Sequence, residues 1–384
     1  MLRRSETSED VITPLRARLV SPDAIDATLI AEWTRLAQLA SEPNAFGEHW
    51  FITAALAHLR DSRDVRLAQV WDGDRLIGIM PLSLYSHYGR MPARHVSNWT
   101  HYQSFMGTPL IECGLEQTFW RALINLLDDS DWAVGFLSLT GLNEGGAVHN
   151  ALITAAASLN RETPTVYRYE RALLASDDDA ETYLNSNIRS KKRKELRRLA
   201  NRLGELGDVR FTVLKDAADL SKWCDDFLTL EAAGWKGSEG AALANVPTTA
   251  QFLRDCISGA HANRRLDFQR IDLDGRAIAM LINFRTPPGS WSFKIAYDEG
   301  LARFSPGVLI ELENLPHVLG DPEINWMDSC AVANHPMINS LWAQRRAIIQ
   351  VSLPLSGAKR GAIYHACRVA ETASARLRQL RGKI

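Results

Sequence analysis

Paired cysteines, an excess of either charge and long apolar runs are all missing from this 384-residue sequence. The five cysteines (Cys113, Cys224, Cys256, Cys330, Cys367) are odd in number and scattered, and no two have the short spacing of a zinc site or a redox pair. That pattern argues against a disulfide-stapled scaffold and for a reducing compartment. Lys and Arg total 44 against 45 Asp and Glu, a formal net charge of −1, so the molecule as a whole sets up no field that gathers nucleic acid or an anionic membrane. No stretch approaches the ~20 apolar residues of a membrane helix. The first residues carry Arg3 and Arg4 but lack the apolar run of a secretory signal, so the expectation is a cytoplasmic chain without a transmembrane segment. The histidines form no H-E-x-x-H motif and there is no G-x-S-x-G elbow, which removes the usual sequence support for a metalloenzyme or an α/β-hydrolase; no metal is expected.

What is present is an alternation of helical and strand-like periodicity that occurs twice. Trp50, Phe51, Ala54, Ala55 and Leu59 form one face of a helix, and the runs Val65–Trp71 and Leu76–Leu82 flank Asp72-Gly73-Asp74 as a hairpin. A helix over 119–127, a strand over 132–139 and a helix over 147–159 follow. The order then recurs from near Thr165. Leu196, Leu199, Leu203 and Leu206 mark a helix, and Val209–Leu214 reads as a strand. Two more helices include 227–233 and 252–257. Next come a second hairpin around Asp274-Gly275, a strand over 291–297, a Pro-Gly joint at Ser305-Pro306-Gly307, a helix over 308–315 and a strand over 324–327. Repetition of order suggests duplication of an α/β unit. The Pro-Gly joint suits an anion: proline gives up an amide that the first helical turn leaves unpaired, glycine lets a ligand approach, and the helix dipole favours negative charge. An ordinary helix start capped by Ser305 is the plainer reading of the same residues.

Two helices, an Asp-Gly hairpin, a third strand, a Pro-Gly loop and a helix resemble the acyl-CoA-binding core of the GNAT acetyltransferases. The phrases Leu230-Glu231-Ala232-Ala233-Gly234-Trp235-Lys236-Gly237, Phe293-Lys294-Ile295-Ala296-Tyr297-Asp298 and Ser305-Pro306-Gly307 resemble the CelD-like branch of that superfamily, associated with cellulose biosynthesis and related to the FemAB peptidyltransferases; the resemblance covers most of 165–345. It implies tandem GNAT-like units, each a central mixed sheet flanked by helices. The expected divisions are a disordered lead over 1–15, a degenerate N-terminal unit without cofactor over 16–164, an acyltransferase unit over 165–356 and a basic amphipathic helix over 357–384. It also implies direct N- or O-acyl transfer through a tetrahedral intermediate, with acetyl-CoA or another acyl-CoA as co-substrate and a small-molecule or polysaccharide-precursor acceptor in polysaccharide or cell-envelope metabolism. The alternatives are a FemAB-like transferase that uses aminoacyl-tRNA and a non-catalytic scaffold of a polysaccharide-synthesis assembly. The GNAT phosphate loop reads Arg or Gln, two residues, Gly, one residue, Gly or Ala; here Arg303 is followed by Gly307 with no second glycine.

Acyl transfer needs a base for the attacking group and donors for the oxyanion. Glu231 is the first candidate base, with Asp298 and Asp328 as rivals at strand ends, and Lys294 or Tyr297 as groups that orient a carbonyl or protonate a leaving thiolate. Phe293, Ile295 and Tyr297 also read as one packed face of a strand. Arg303, Ser305, Pro306, Gly307 and Val308 would hold the donor's phosphates, and Trp235 and Lys236 would line the acceptor pocket. Glu231 also reads as a solvated helix carboxylate pairing with Lys236 or Arg254. Cys330, near Asp328 and His335, reads more simply as a buried core cysteine than as a thiol site.

Two basic stretches stand out from the neutral background. The run from Arg189 to Arg198 suits phosphates of CoA or tRNA, or is a solvated face. The C-terminal stretch around Lys359, Arg360, Arg368, Arg376, Arg378 and Arg381 has apolar residues at near-helical spacing, which suits docking on the body, with peripheral contact to a partner or membrane as the other use.

Overall fold

The computed structural model describes residues 15–381, with side-chain surroundings through residue 373, so most of the expected lead lies outside the described residues. The first half comprises β1 (Leu15–Val20), α1 (Ala27–Leu39), α2 (His49–His58), β2 (Val65–Asp72), β3 (Arg75–Tyr85), β4 (His95–Asn98), β5 (Leu110–Ile111), α3 (Glu116–Asp129), β6 (Phe136–Asn143), α4 (Ala147–Ser158) and β7 (Thr165–Leu174). After the inserted helices α5 (Ala180–Asn187) and α6 (Ser190–Gly204) the order repeats. It runs through β8 (Val209–Val213), α7 (Leu220–Ala233), α8 (Trp235–Ser238), α9 (Pro247–Ala262), β9 (Leu266–Leu273), β10 (Arg276–Thr286), β11 (Gly289–Tyr297), α10 (Pro306–Leu319), β12 (Trp326–Asp328) and β13 (Gln344–Pro354), and α11 (Ala358–Arg381) closes the chain.

The strands lie in one sheet in the order β1-β2-β3-β4-β6-β13-β7-β12-β11-β10-β9-β8, with β5 beside β3. The order is palindromic about the β13–β7 pair. Every contact along this path is antiparallel except β4 with β6 and β11 with β12, which sit at equivalent places in the two halves and are each joined by a crossover helix, α3 or α10, as parallel neighbours require. The second run of the repeated order therefore begins at β8, not at the strand near Thr165. That strand, β7, ends the first run yet pairs with β12 of the second, while β13 ends the second run and pairs with β6 of the first. The units have exchanged their last strands, and the exchange fuses two sheets into one.

The second hairpin turns on Asp274-Gly275, whereas the first turns on Gly73-Asp74 because Asp72 still pairs with Arg75, so the expected identical Asp-Gly turns are corrected; Gly73 and Gly275 have positive φ of 60° and 79°. Packing across the halves comes from α2 against α9 and from one aromatic core shared by Phe46, Trp50, Phe51, Phe252, Phe284 and Phe293. Phe284 and Phe293 stack with centroids 4.6 Å apart, and Phe46 meets Trp291 edge-on at 5.5 Å. Such pairs add roughly 0.5–1.5 kcal/mol each beyond the area they bury. The seam between the halves is thus core, which fixes the N-terminal half against the site of the C-terminal half. Among the described residues no helix is long and apolar enough to cross a membrane.

Candidate active site

β12 pairs with β11 only at Gly289, Ser290 and Trp291, after which the strands part and β11 continues alone on that side to Tyr297. A register shift between Ile282 and Asn283 of β10 leaves Phe293 as an extra residue on β11. Bulges re-aim side chains, and this one breaks the strand's alternation. Phe293 joins the shared aromatic core, whereas Ile295 and Tyr297 pack on the opposite face of the sheet with Phe304 and Leu309. The expected single face of Phe293, Ile295 and Tyr297 is therefore corrected, and the bulge is the reason. Lys294 is turned onto the core side, its Nζ 5.5 Å from the ring centres of both Phe105 and Phe293. Lys294 has no carboxylate or hydrogen-bond partner among the described residues. Burial, with the Lys236 cation nearby, brings its ammonium down to about 8. Phe105 and His101 come from the N-terminal half. His101 stacks on Phe51 and is kept neutral by burial and by the cations of Arg63 and Lys294, with its pKa near 3.

Beside this strand a cavity of about 390 Å3 is bounded by α7 and α8, by Ile295 to Tyr297, and by His335 to Met337 of the loop after β12. Glu231 lies at its wall, 4% exposed. Its Oε1 accepts from Lys236 Nζ at 2.9 Å and its Oε2 from the Leu243 N–H at 2.9 Å; Lys236 also donates to the Ile295 carbonyl at 3.2 Å. The partner is thus Lys236, while Arg254 pairs with Asp225, and the carboxylate is buried instead of solvated. Trp235 stands half exposed at the mouth, its N–H bonded to Glu299 at 2.7 Å. Glu231, Trp235, Lys236 and Tyr297 line one cavity, and Lys294 precedes its Ile295 wall. Asp298 and Asp328 do not join them. Asp298 holds the Gly300 N–H and Arg276 beside a separate cavity of about 510 Å3.

Asp328, fully buried, accepts from Arg171 Nη2 at 3.0 Å, Arg346 Nη1 at 3.0 Å and the Cys330 N–H at 2.8 Å, and Arg171 Nε lies 2.7 Å from Oδ1 as an ion-pair contact. Arg171 comes from β7 and Arg346 from β13, the exchanged strands, and the Arg346 guanidinium also lies 3.9 Å from the Trp326 ring centre. Neither arginine was singled out from the sequence; each acquires its role only because distant strands become neighbours. Burial pushes the Cys330 thiol well up, beside the Asp328 carboxylate, which fits an inert core cysteine and not a nucleophile.

At the Pro-Gly joint the chain makes a short 3₁₀ turn over 299–304, and Ser305 adopts φ 55°, left-handed, with Pro306 opening α10. The Ser305 side chain makes no cap; its carbonyl instead takes the N–H groups of Val308 at 2.9 Å and Leu309 at 3.0 Å. The first turn of α10 is thus left with the Gly307 amide, the uncommitted Ser305 hydroxyl and the exposed Arg303, whose guanidinium rests on Phe304. A methyl group on Gly307 would lie 2.9 Å from the Tyr297 ring, so this glycine is needed for close packing whether or not a ligand binds. Gly307→Ala is expected to lower the urea midpoint by the equivalent of about 1–3 kcal/mol, an overpacking cost. An unchanged midpoint would show that the ring yields freely.

The basic helix α6 buries Leu196 and Leu203 and leaves Arg189, Lys191, Lys194, Arg197, Arg198 and Arg202 exposed without acidic partners among the described residues. It packs on the 299–304 turn, and Lys192 bonds Ser340 in the loop that carries His335 to Met337. The closing helix α11 docks on the body at β6 and β13. Tyr364 and Cys367 bury beside Phe136, and Arg360 donates to the carbonyls of Asp128 at 2.8 Å and Ser130 at 2.7 Å at the end of α3.

The architecture is that of tandem GNAT-like units, an α/β fold whose large mixed sheet is flanked by helices, with a strand-divergence cleft in the second unit. Residues 190–331 match the family model of the acetyltransferase (GNAT) domain, so that domain spans the cleft, α10 and α6. No curated protein matches the chain in sequence. Among solved structures the fold is similar to FemX (9% identity, 84% of this chain and 95% of that chain, TM-score 0.54). It is also similar to a conserved protein of unknown function from Bacteroides thetaiotaomicron (12% identity, 84% and 97%, TM-score 0.53). A third similarity is to the C-terminal domain of a putative lysylphosphatidylglycerol synthetase from Agrobacterium fabrum (10% identity, 88% and 97%, TM-score 0.50). At these identities the likeness concerns the fold. Among the described residues no cluster of His, Cys, Asp and Glu is arranged to hold a metal ion.

Proposed function

We propose that the chain transfers an acyl group, by direct attack, from a carrier bound along β11 and the start of α10 to a small nucleophile in the Glu231–Trp235 cavity. The observation that carries this reading is Lys294, a largely buried ammonium without a carboxylate partner, placed where β11 leaves β12. Such a cation favours negative charge that develops on a carbonyl oxygen, in surroundings where water does not screen it. The acceptor's lone pair attacks the acyl carbon, the carbonyl oxygen becomes an oxyanion facing Lys294, and collapse breaks the bond to the carrier, whose leaving atom takes up the proton that Glu231 has received from the acceptor. Glu231, held in place by Lys236 and the Leu243 amide, receives the acceptor's proton. A volume of about 390 Å3 suits a small-molecule acceptor. Arg303, Ser305 and the Gly307 amide, with Pro306 and Val308 framing the turn, would receive the diphosphate of an acyl-CoA. Asp298 and Asp328 serve as scaffold.

One observation favours a second donor. The α10 start keeps few free amides, while α6 beside it presents a row of cations, unpaired among the described residues, longer than one CoA needs, as an aminoacyl-tRNA carrier would use. The experiment is thermal stability of the protein with acetyl-CoA, longer acyl-CoAs and charged tRNA, because a ligand selective for the native state raises the melting temperature. A rise with an acyl-CoA, lost in Arg303→Glu, is expected. A rise with charged tRNA alone, steeply salt-dependent and abolished by Lys191→Gln/Lys194→Gln/Arg198→Gln, would transfer the assignment to the second donor. No rise with either would leave a non-catalytic scaffold.

A further inference from the structure

A second cavity, about 760 Å3, lies where strands of the N-terminal half meet β13, on the sheet face that α11 partly covers, and the transfer reaction proposed above makes no use of it. Its floor crosses four neighbouring strands: Ser97 of β4, Ser138 and Thr140 of β6, Gln350 of β13 and Thr165 of β7. Side chains on adjacent strands are spaced about 4.8 Å apart, so the floor is a grid of hydroxyl and amide groups able to donate and accept. Ser138 and Gln350 already bond each other at 3.0 Å, which fixes the orientation of both.

His95 supplies the pointer to a ligand. It lines the cavity although only 5% exposed, and its ring is held between Tyr85 and Phe136. Its Nδ1 lies 3.1 Å from the Ala93 carbonyl, which can only accept, so Nδ1 carries the hydrogen and Nε2 is a bare acceptor. Nε2 has no partner among the described residues. Burial also lowers the pKa of the ring, so it is neutral. A nine-tenths-buried side chain that presents an unpartnered acceptor on a cavity wall suits a hydroxyl or N–H donor.

Among the described residues the one partly buried charge pair on the walls is internally matched. Arg368 pairs with Glu371, and Glu371 also accepts from the Tyr88 hydroxyl, which leaves Arg90 at the exposed rim. Among the described residues no buried uncommitted cation lines the cavity for a phosphate or polyanion. Tyr85 and Tyr88 add ring surface, which suits the C–H faces of a ligand whose edges carry hydroxyls.

We propose that this cavity binds a neutral polyhydroxylated ligand of the saccharide class, with Nε2 of His95 accepting from one hydroxyl and the Ser97, Ser138 and Thr165 hydroxyls bonding others. Isothermal titration of the full chain with maltotetraose, cellotetraose and the tetramer of N-acetylglucosamine is expected to give saturable binding for at least one of them. Ser138→Val and, separately, Thr165→Trp should weaken that binding by roughly tenfold or more, the loss of one or two hydrogen bonds or the filling of the floor. Thr165 is exposed, so its variant tests the cavity even if Ser138→Val fails to fold. Lys294→Met should leave the affinity unchanged, which separates this site from the transfer site. The absence of saturable heat with all three sugars at millimolar concentration, or an affinity that neither folded variant alters, would overturn the proposal.

Discussion

Lys294→Met is expected to lower kcat/KM for acyl transfer by about 10²–10³-fold, the usual effect of removing one oxyanion donor, while the folded protein becomes more stable at neutral pH. Both effects have one cause. The ammonium is held among Phe105, Phe293 and the Lys236 cation, and its pKa falls to about 8, below the ordinary lysine value. Between about 8 and 10.5 the unfolded chain therefore binds the proton that the folded chain has released, so folding stability rises with pH across that window. The full difference is on the order of 3 kcal/mol. Methionine fills similar volume without the charge, so urea denaturation at neutral and at alkaline pH should show a higher midpoint for the variant at neutral pH and loss of the alkaline gain. Because the charged form is the one that stabilises an oxyanion, wild-type turnover should fall above about pH 8. Lys294→Arg should move that fall to higher pH. Turnover by Lys294→Met equal to wild type would remove the residue from the chemistry.

Asp328→Ala should cost about 3–5 kcal/mol of stability, because it strands two guanidinium groups in the interior. Arg171 is 1% exposed, and both its Nε and the Arg346 Nη1 reach the same carboxylate. The two arginines belong to the exchanged strands, so the damage falls on the joint between halves and both should lose structure in one transition at a lower denaturant concentration. The triple variant Asp328→Leu/Arg171→Met/Arg346→Met should recover much of the loss, since an apolar replacement of a buried ion cluster is often near neutral. By contrast Arg276→Ala, which breaks a pair with an exposed guanidinium, should change stability by less than about 1 kcal/mol. If Asp328→Ala unfolds like wild type, the carboxylate is not what holds the joint.

Much of the second half is legible in the sequence. The helices around Phe227 and Phe252, the Asp-Gly hairpin, the strand through Phe293 and the helix after Pro306 all lie where periodicity and turn residues placed them. Glu231, Trp235, Lys236 and Tyr297 meet in one cavity because they lie on a helix end and a strand that local sequence positions correctly. The side that Lys294 faces was not legible: strict alternation would place it opposite Phe293, and only the unequal pairing of β10 and β11 turns it inward. The partner of Glu231 was one of two readable from spacing, and packing selected Lys236.

What the sequence by itself determined is the class of element at each point and the repeated order, because propensity, period and turn chemistry act within a few residues. What only the tertiary structure decided is everything that depends on which distant strands become neighbours. The exchange of β7 and β13, the two arginines on Asp328, Phe105 and His101 entering the second unit's site, and the hydroxyl floor across β4, β6, β13 and β7 are contacts between segments far apart in the chain. No local pattern encodes such contacts. They arise because each half buries its aromatic face against the other, and that shared core, not any motif, sets which side chains meet.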